Sequence, residues 1–356
     1  MKTPELPIPT DLNRISPQWM TEVLARDFPS AQVSDVAVTT RDDGTNRRVR
    51  LRLEYSSGSG PSSVFVKATD PDHKELLKLT SGIFHEPNLF NSGVSLPLEH
   101  PRVHAAIADE ATYDFVVVME DITQRGADPR DATRPLTADQ VATGLRGLAK
   151  LHGEFWNHRS EKVPSLAWLE PFRAWDGMEI APLPEALRRL GPSAPESVAD
   201  LTITDLLERI WKPFIRTLTS SDQTLLHGDP HIGNTYVLPD GTVGFLDWQV
   251  ARRGNWSLDV GYFLQGSLTI EDRREHEADL LSEYLSALEL PAHELPATDD
   301  FWLRYRASPA HGLTLWLATL SAGDLWQRPD IALALAERYA AAFDDLDTES
   351  SLVALR

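Results

Sequence analysis

Leu225-Leu226-His227-Gly228-Asp229-Pro230-His231-Ile232-Gly233-Asn234 leads, through a short turn, to Gly244-Phe245-Leu246-Asp247-Trp248-Gln249. Two β-like runs, Thr235–Leu238 and Thr242–Leu246, flank Pro239-Asp240-Gly241, a turn signal. The spacing predicts a hairpin that carries Asn234 and Asp247 back to one place, with Asp229 on the loop that enters it. Those residue types suit one chemistry. Phosphoryl transfer to a hydroxyl needs a carboxylate to orient and deprotonate the hydroxyl. It also needs oxygen ligands to hold magnesium against the phosphates, and a cation for the phosphates that stay behind. A chain carrying this set is expected to use ATP and Mg2+.

Outward from this stretch the pattern changes. Val33–Val38 and Arg48–Tyr55 alternate as half-buried strands should, Ser56–Pro61 is a turn, and Ser63–Ala68 reads as the returning strand. Phe115–Met119 is a further strand. Helical structure is expected somewhere in 73–92, interrupted at Gly82 and Pro87. Thr137 is an N-cap for an apolar-periodic helix running to about Trp156. Pro and Gly break the chain between about 163 and 195. Leu201–Leu218 is a helix with a break or kink at Pro213, and the chain beyond Ile270 reads as helices. The expected fold class is therefore α+β and bilobal, with a small β-rich N-lobe at 1–121 and a larger, mostly helical C-lobe at 122–356.

The composition restricts the alternatives. The chain has 356 residues, 42% of them hydrophobic, with 10 Trp and 12 Phe, enough for a sizeable core. Absent cysteine excludes disulfides, thiolate metal sites and a cysteine nucleophile. A net charge of -19 opposes binding to nucleic acid or to anionic membranes. No apolar run is long enough for a membrane span or a signal peptide, so a cytoplasmic protein is expected. His227 and His231 are four apart, but the intervening Pro230 denies them one helix face and no third ligand is near, which argues against zinc.

Asp229, Asn234 and Asp247 have the order and separation of the catalytic-loop Asp, catalytic-loop Asn and metal-binding Asp of protein kinases, with His-Gly-Asp for His-Arg-Asp and Asp-Trp-Gln for Asp-Phe-Gly. HGDPHIGN followed by FLDWQ resembles the aminoglycoside phosphotransferase/choline kinase-like superfamily, and in particular its ecdysteroid-kinase-like branch, over about residues 30–320. The resemblance implies a protein-kinase-like fold. Asp229 resembles the catalytic base, and Asn234 and Asp247 the magnesium ligands. His227 and Asp259 resemble residues that support the catalytic loop. Lys67 resembles the lysine on the α/β-phosphates, with Glu86 as its ion-pair partner and Glu75 as the competitor. Gly44, Thr45 and Asn46 resemble the phosphate-covering turn, which lacks the kinase G-x-G-x-x-G. Glu120 and Ile122 resemble the hinge, whose backbone meets adenine. The implied acceptor is a small hydroxylated molecule, aminoglycoside-, choline- or hydroxylated lipid/steroid-like. Acids of the helical half would suit a cationic one, and Trp168, Trp175, Phe301, Trp302 and Trp316 an apolar one. The other reading is a catalytically silent, pseudokinase-like module that binds nucleotide without turnover.

Overall fold

The computed structural model describes residues 6–9, 11–41, 46–75, 82–157, 164–175, 177–178 and 181–355. The chain divides into two compact units, 1–94 with 100–127, and 95–99 with 128–356.

In the first unit, β1 (Gln32–Arg41), β2 (Asn46–Ser57), β3 (Ser63–Thr69), β4 (Val103–Asp109) and β5 (Asp114–Glu120) form one antiparallel sheet in the order β1-β2-β3-β5-β4. Alternation gives each strand two faces. On one face Val49, Leu51, Leu53, Val64 and Val66 pack with Trp19, Met20 and Val23 of α1 (Pro17–Leu24), whose start is capped by Ser16. The other face carries a smaller cluster of Ile83, Phe115, Val117 and Met119. It also carries Lys67, and α2 (His85–Asn91) packs beside β4 and β5. Pro87 does not interrupt that helix. It lies in the first turn, where backbone N–H groups have no intrahelical partner to lose.

The boundary falls after Ala127 rather than at 121/122. The turn Ile122–Arg125 is capped by the Asp121 side chain, and Gln124 donates to the Ser63 carbonyl at 3.0 Å, so this segment stays with the sheet.

The second unit is mostly helical. Its longer helices are α3 (Ala138–Glu154), α4 (Leu183–Leu190), α5 (Ser257–Ser267), α6 (Ile270–Ala287), α7 (Thr298–Ala307), α8 (Pro309–Ser321) and α9 (Pro329–Asp345). Thr137 and Gln140 cap α3 reciprocally. The helix expected over 201–218 is instead a π-helical stretch, Asp205–Trp211, running into an α-helical turn, Lys212–Thr217. Pro213 has no N–H and its ring would crowd the carbonyl of Arg209, so the backbone widens just before it. β6 (Asp128–Pro129), β8 (Thr235–Val237) and β9 (Val243–Phe245) form a small sheet, and β7 (Thr224–Leu226) pairs with β10 (Arg252–Gly254). Among the described residues no helix is long and apolar enough to cross a membrane.

Phe301 and Trp316, read as pocket walls, are core residues, 2% and 5% exposed. His311 is also core. The Trp211 indole N–H donates to its Nδ1 at 3.1 Å, which places the ring proton on Nε2 and keeps the ring neutral. Burial pushes its pKa down from 6.5 to about 3. The folded state thus binds fewer protons than the unfolded one below pH 6.5. The stability this ring contributes is present above 6.5 and is lost as pH falls toward 3. From pH 7 to 5 the loss is about 2 kcal/mol. Urea unfolding at the two pH values should show that His311→Gln loses this share of the pH dependence. Equal dependence in both proteins contradicts the assignment.

Candidate active site

The loop between β7 and β8 carries the first part of the site. Its entry is pinned by Asp259, a buried carboxylate in the first turn of α5. Asp259 accepts the N–H of His227 at 2.7 Å and that of Gly228 at 2.9 Å. The His152 Nε2 lies 3.2 Å from the same carboxylate, and His152 Nδ1 lies 2.8 Å from the Tyr284 hydroxyl. Gly228 is required here. Its φ is +86°, and a Cβ would sit 2.1 Å from the Val250 carbonyl oxygen.

His227 joins the loop to the end of β9. Its Nε2 donates to the Leu246 carbonyl at 2.9 Å, and its Nδ1 accepts the Asp229 N–H at 3.3 Å. One neutral tautomer satisfies both bonds. Trp248 packs on the ring at 4.5 Å.

Asp229 is half-buried, and its carboxylate accepts from Asn234 Nδ2 at 3.1 Å. The same nitrogen donates to the Asp229 carbonyl at 2.9 Å, so the Asn234 amide is oriented by its own loop. Asn234 also accepts the Leu246 N–H through its carbonyl at 2.8 Å, next to Asp247. Asp247 has φ 62° and ψ 75°. A non-glycine residue in the left-handed region is strained, and such strain clusters at functional sites. The hairpin read from the spacing is present, with Thr235 opposite Phe245 and Val237 opposite Val243. Asp229, Asn234, Asp247, His227 and Asp259 are thus gathered in the second unit.

Tyr262 was not read from sequence. Its phenol is pushed well above its usual pKa, first by burial and then by the charge of the Asp229 carboxylate. It lies one helical turn beyond Asp259, the one signal that could have identified it. His231, beside Asp229, is held neutral by burial, with its pKa down to about 4.

In the first unit, the Lys67 ammonium lies 2.9 Å from a Glu86 carboxylate oxygen, with both residues buried. Glu75 is exposed and is not the partner in this pair. Asn46 opens β2 and is 4% exposed. Gly44 and Thr45, also assigned to the phosphate turn, lie outside the described residues. In the segment read as a hinge, the Glu120 N–H donates to the Arg102 carbonyl at 2.8 Å. The Ile122 carbonyl accepts from the turn that follows it. Those two backbone groups are therefore occupied by the protein, which leaves the Glu120 carbonyl and the Ile122 N–H as the groups to which the expected adenine contact applies.

The chain matches the phosphotransferase enzyme family over residues 90–300. Among curated proteins, none matches it by sequence. A solved structure of a candidate aminoglycoside phosphotransferase from Ralstonia eutropha JMP134 superposes with TM-score 0.52 at 15% identity, covering 89% of this chain and 93% of that one. A choline kinase from Cryptosporidium parvum reaches 0.49 at 12% identity, covering 89% of each chain. A spectinomycin phosphotransferase solved with ADP and spectinomycin reaches 0.47 at 13% identity, covering 94% and 99%. The first of these shows the kinase-like α+β fold. The family match extends over more than half of the chain and does not separate the superfamily's branches. The chain belongs to the phosphotransferase enzyme family.

Proposed function

We propose that the protein transfers the γ-phosphate of ATP to a hydroxyl group of a small molecule with the help of magnesium. The observation that carries this reading is the Asp229–Asn234 pair, oriented by its own loop and joined through Leu246 to the strained Asp247. Asp229 accepts the proton of the acceptor hydroxyl and aims its oxygen. The Asn234 Nδ2 is committed to Asp229, which presents the amide oxygen as the ligand atom. An amide oxygen and a carboxylate are hard donors that suit magnesium, an ion that completes its shell with phosphates and water. When bound, magnesium neutralises phosphate charge. Lys67, held by Glu86, supplies the cation for the α- and β-phosphates. The Glu120 carbonyl and the Ile122 N–H are the hinge groups assigned to adenine. Use of ATP agrees with a cytoplasmic location.

The complete catalytic set favours turnover over a silent nucleotide-binding module. The test is Asp247→Ala. ATP should raise the melting temperature of the wild type more with magnesium than without, and the variant should lose that difference. Transfer should fall by about a thousandfold, a few kcal/mol of charge stabilisation. A variant that keeps the magnesium-dependent shift and near-full turnover would contradict the assignment.

A further inference from the structure

His231 has one task within its own loop. Its Nδ1 accepts the Gly233 N–H at 3.0 Å and so caps the short turn Ile232–Asn234. An Asn or Ser at this place would cap the turn as well. The same bond fixes the tautomer. With Nδ1 accepting, the neutral ring carries its proton on Nε2. That second nitrogen has no part in the cap.

Its surroundings hold it beside Asp229. The ring makes a T-shaped contact with Trp316, centroids 5.2 Å apart, and another with Tyr262 at 6.0 Å. Gly233 leaves room for it, since a Cβ there would sit 2.7 Å from the ring's Cε1. In this position Nε2 lies 3.9 Å from an Asp229 carboxylate oxygen, too far for a hydrogen bond. A hydroxyl oxygen about 2.8 Å from each atom spans such a gap. The His231 side chain is 14% exposed and that of Asp229 22%, so a small alcohol can reach both.

We infer that His231 donates its Nε2–H to the oxygen of the acceptor hydroxyl while Asp229 takes that hydroxyl's proton. This rests on the proposed transfer to an alcohol and adds a residue to it. The division suits an alcohol oxygen, which has one proton and two lone pairs. The proton goes to Asp229, and His231 holds one lone pair. The other lone pair forms the new bond to the γ-phosphorus, whose bond to the bridging oxygen breaks with its electron pair leaving on ADP. The donor therefore sets the direction of attack. It also favours an alcohol over an ammonium, which has no lone pair to offer.

The test separates the cap from the donor. Asn places an amide where Nδ1 stands, so His231→Asn keeps the cap and loses the donor. Gln reaches the place of Nε2, so His231→Gln keeps a donor and loses the cap. ADP formation from ATP and magnesium is followed with water alone and with glycerol, 2-aminoethanol or benzyl alcohol as acceptor. His231→Asn should lower kcat about tenfold to a hundredfold, the scale of a lost hydrogen bond that orients the attacking oxygen, with the KM for ATP and the melting temperature close to the wild type. His231→Gln should turn over about tenfold faster than His231→Asn. The inference is overturned if His231→Asn turns over as the wild type does. It is also overturned if His231→Gln is no faster than His231→Asn, which would make His231 a support of the loop alone. A wild type that forms no ADP, even with water, contradicts the proposed transfer itself, and His231 then has no acceptor to hold.

Discussion

Asp229→Asn should lower single-turnover phosphate transfer by about a thousandfold or more while the affinity for ATP stays within about twofold. The two halves of that result have separate causes. The amide keeps the shape of the carboxylate and can still meet Asn234, so the loop persists. It cannot take the proton of an acceptor hydroxyl, so the transition state loses its base. General acid–base assistance is worth about a hundredfold to ten-thousandfold, and positioning of the attacking oxygen adds to it. Near-full turnover in the variant would assign the base elsewhere.

Asp259→Ala should destabilise the protein by about 3–5 kcal/mol, the range for removing one partner of a buried charged network. The carboxylate accepts two buried backbone N–H groups, those of His227 and Gly228, and lies against His152. Without it, each N–H loses its acceptor at a cost of about 1–3 kcal/mol. Turnover should fall as well, because Asp229 is the next residue and its own N–H is held by His227. Chemical denaturation reads the first effect and steady-state kinetics the second. A change below about 1 kcal/mol would show that the loop does not depend on this anchor.

The parts of the site legible in the sequence are those encoded locally. Asp229, Asn234 and Asp247 lie within one loop and one hairpin, so spacing alone predicts their meeting. The strands of the first sheet were legible where apolar and polar residues alternate. β4 was not, because Val103-His104-Ala105-Ala106-Ile107-Ala108-Asp109 is rich in alanine and lacks that alternation. α5 was missed for the opposite reason. Each residue from Ser257 to Ser267 is buried, so no polar face marks a helical period. The pairing of Lys67 with Glu86 came from the family resemblance, since nothing local joins positions 19 residues apart. Tyr262 is packed in the core, and its exposure to the Asp229 charge is a product of tertiary structure. The hinge was legible as a strand end followed by a turn. Which of its backbone groups the fold itself consumes depends on Arg102, just before the missed strand β4, and on the turn that follows Ile122.

The central claim is that this chain moves phosphate from ATP to an alcohol. Phosphorus NMR of the wild type with ATP, magnesium and a panel of hydroxylated small molecules tests it most directly. The account predicts a new phosphomonoester resonance growing in step with ADP, dependent on magnesium and missing with Asp229→Asn. Magnesium-dependent binding of ATP with no phosphomonoester from any member of a broad panel would contradict it and leave a nucleotide-binding module without turnover.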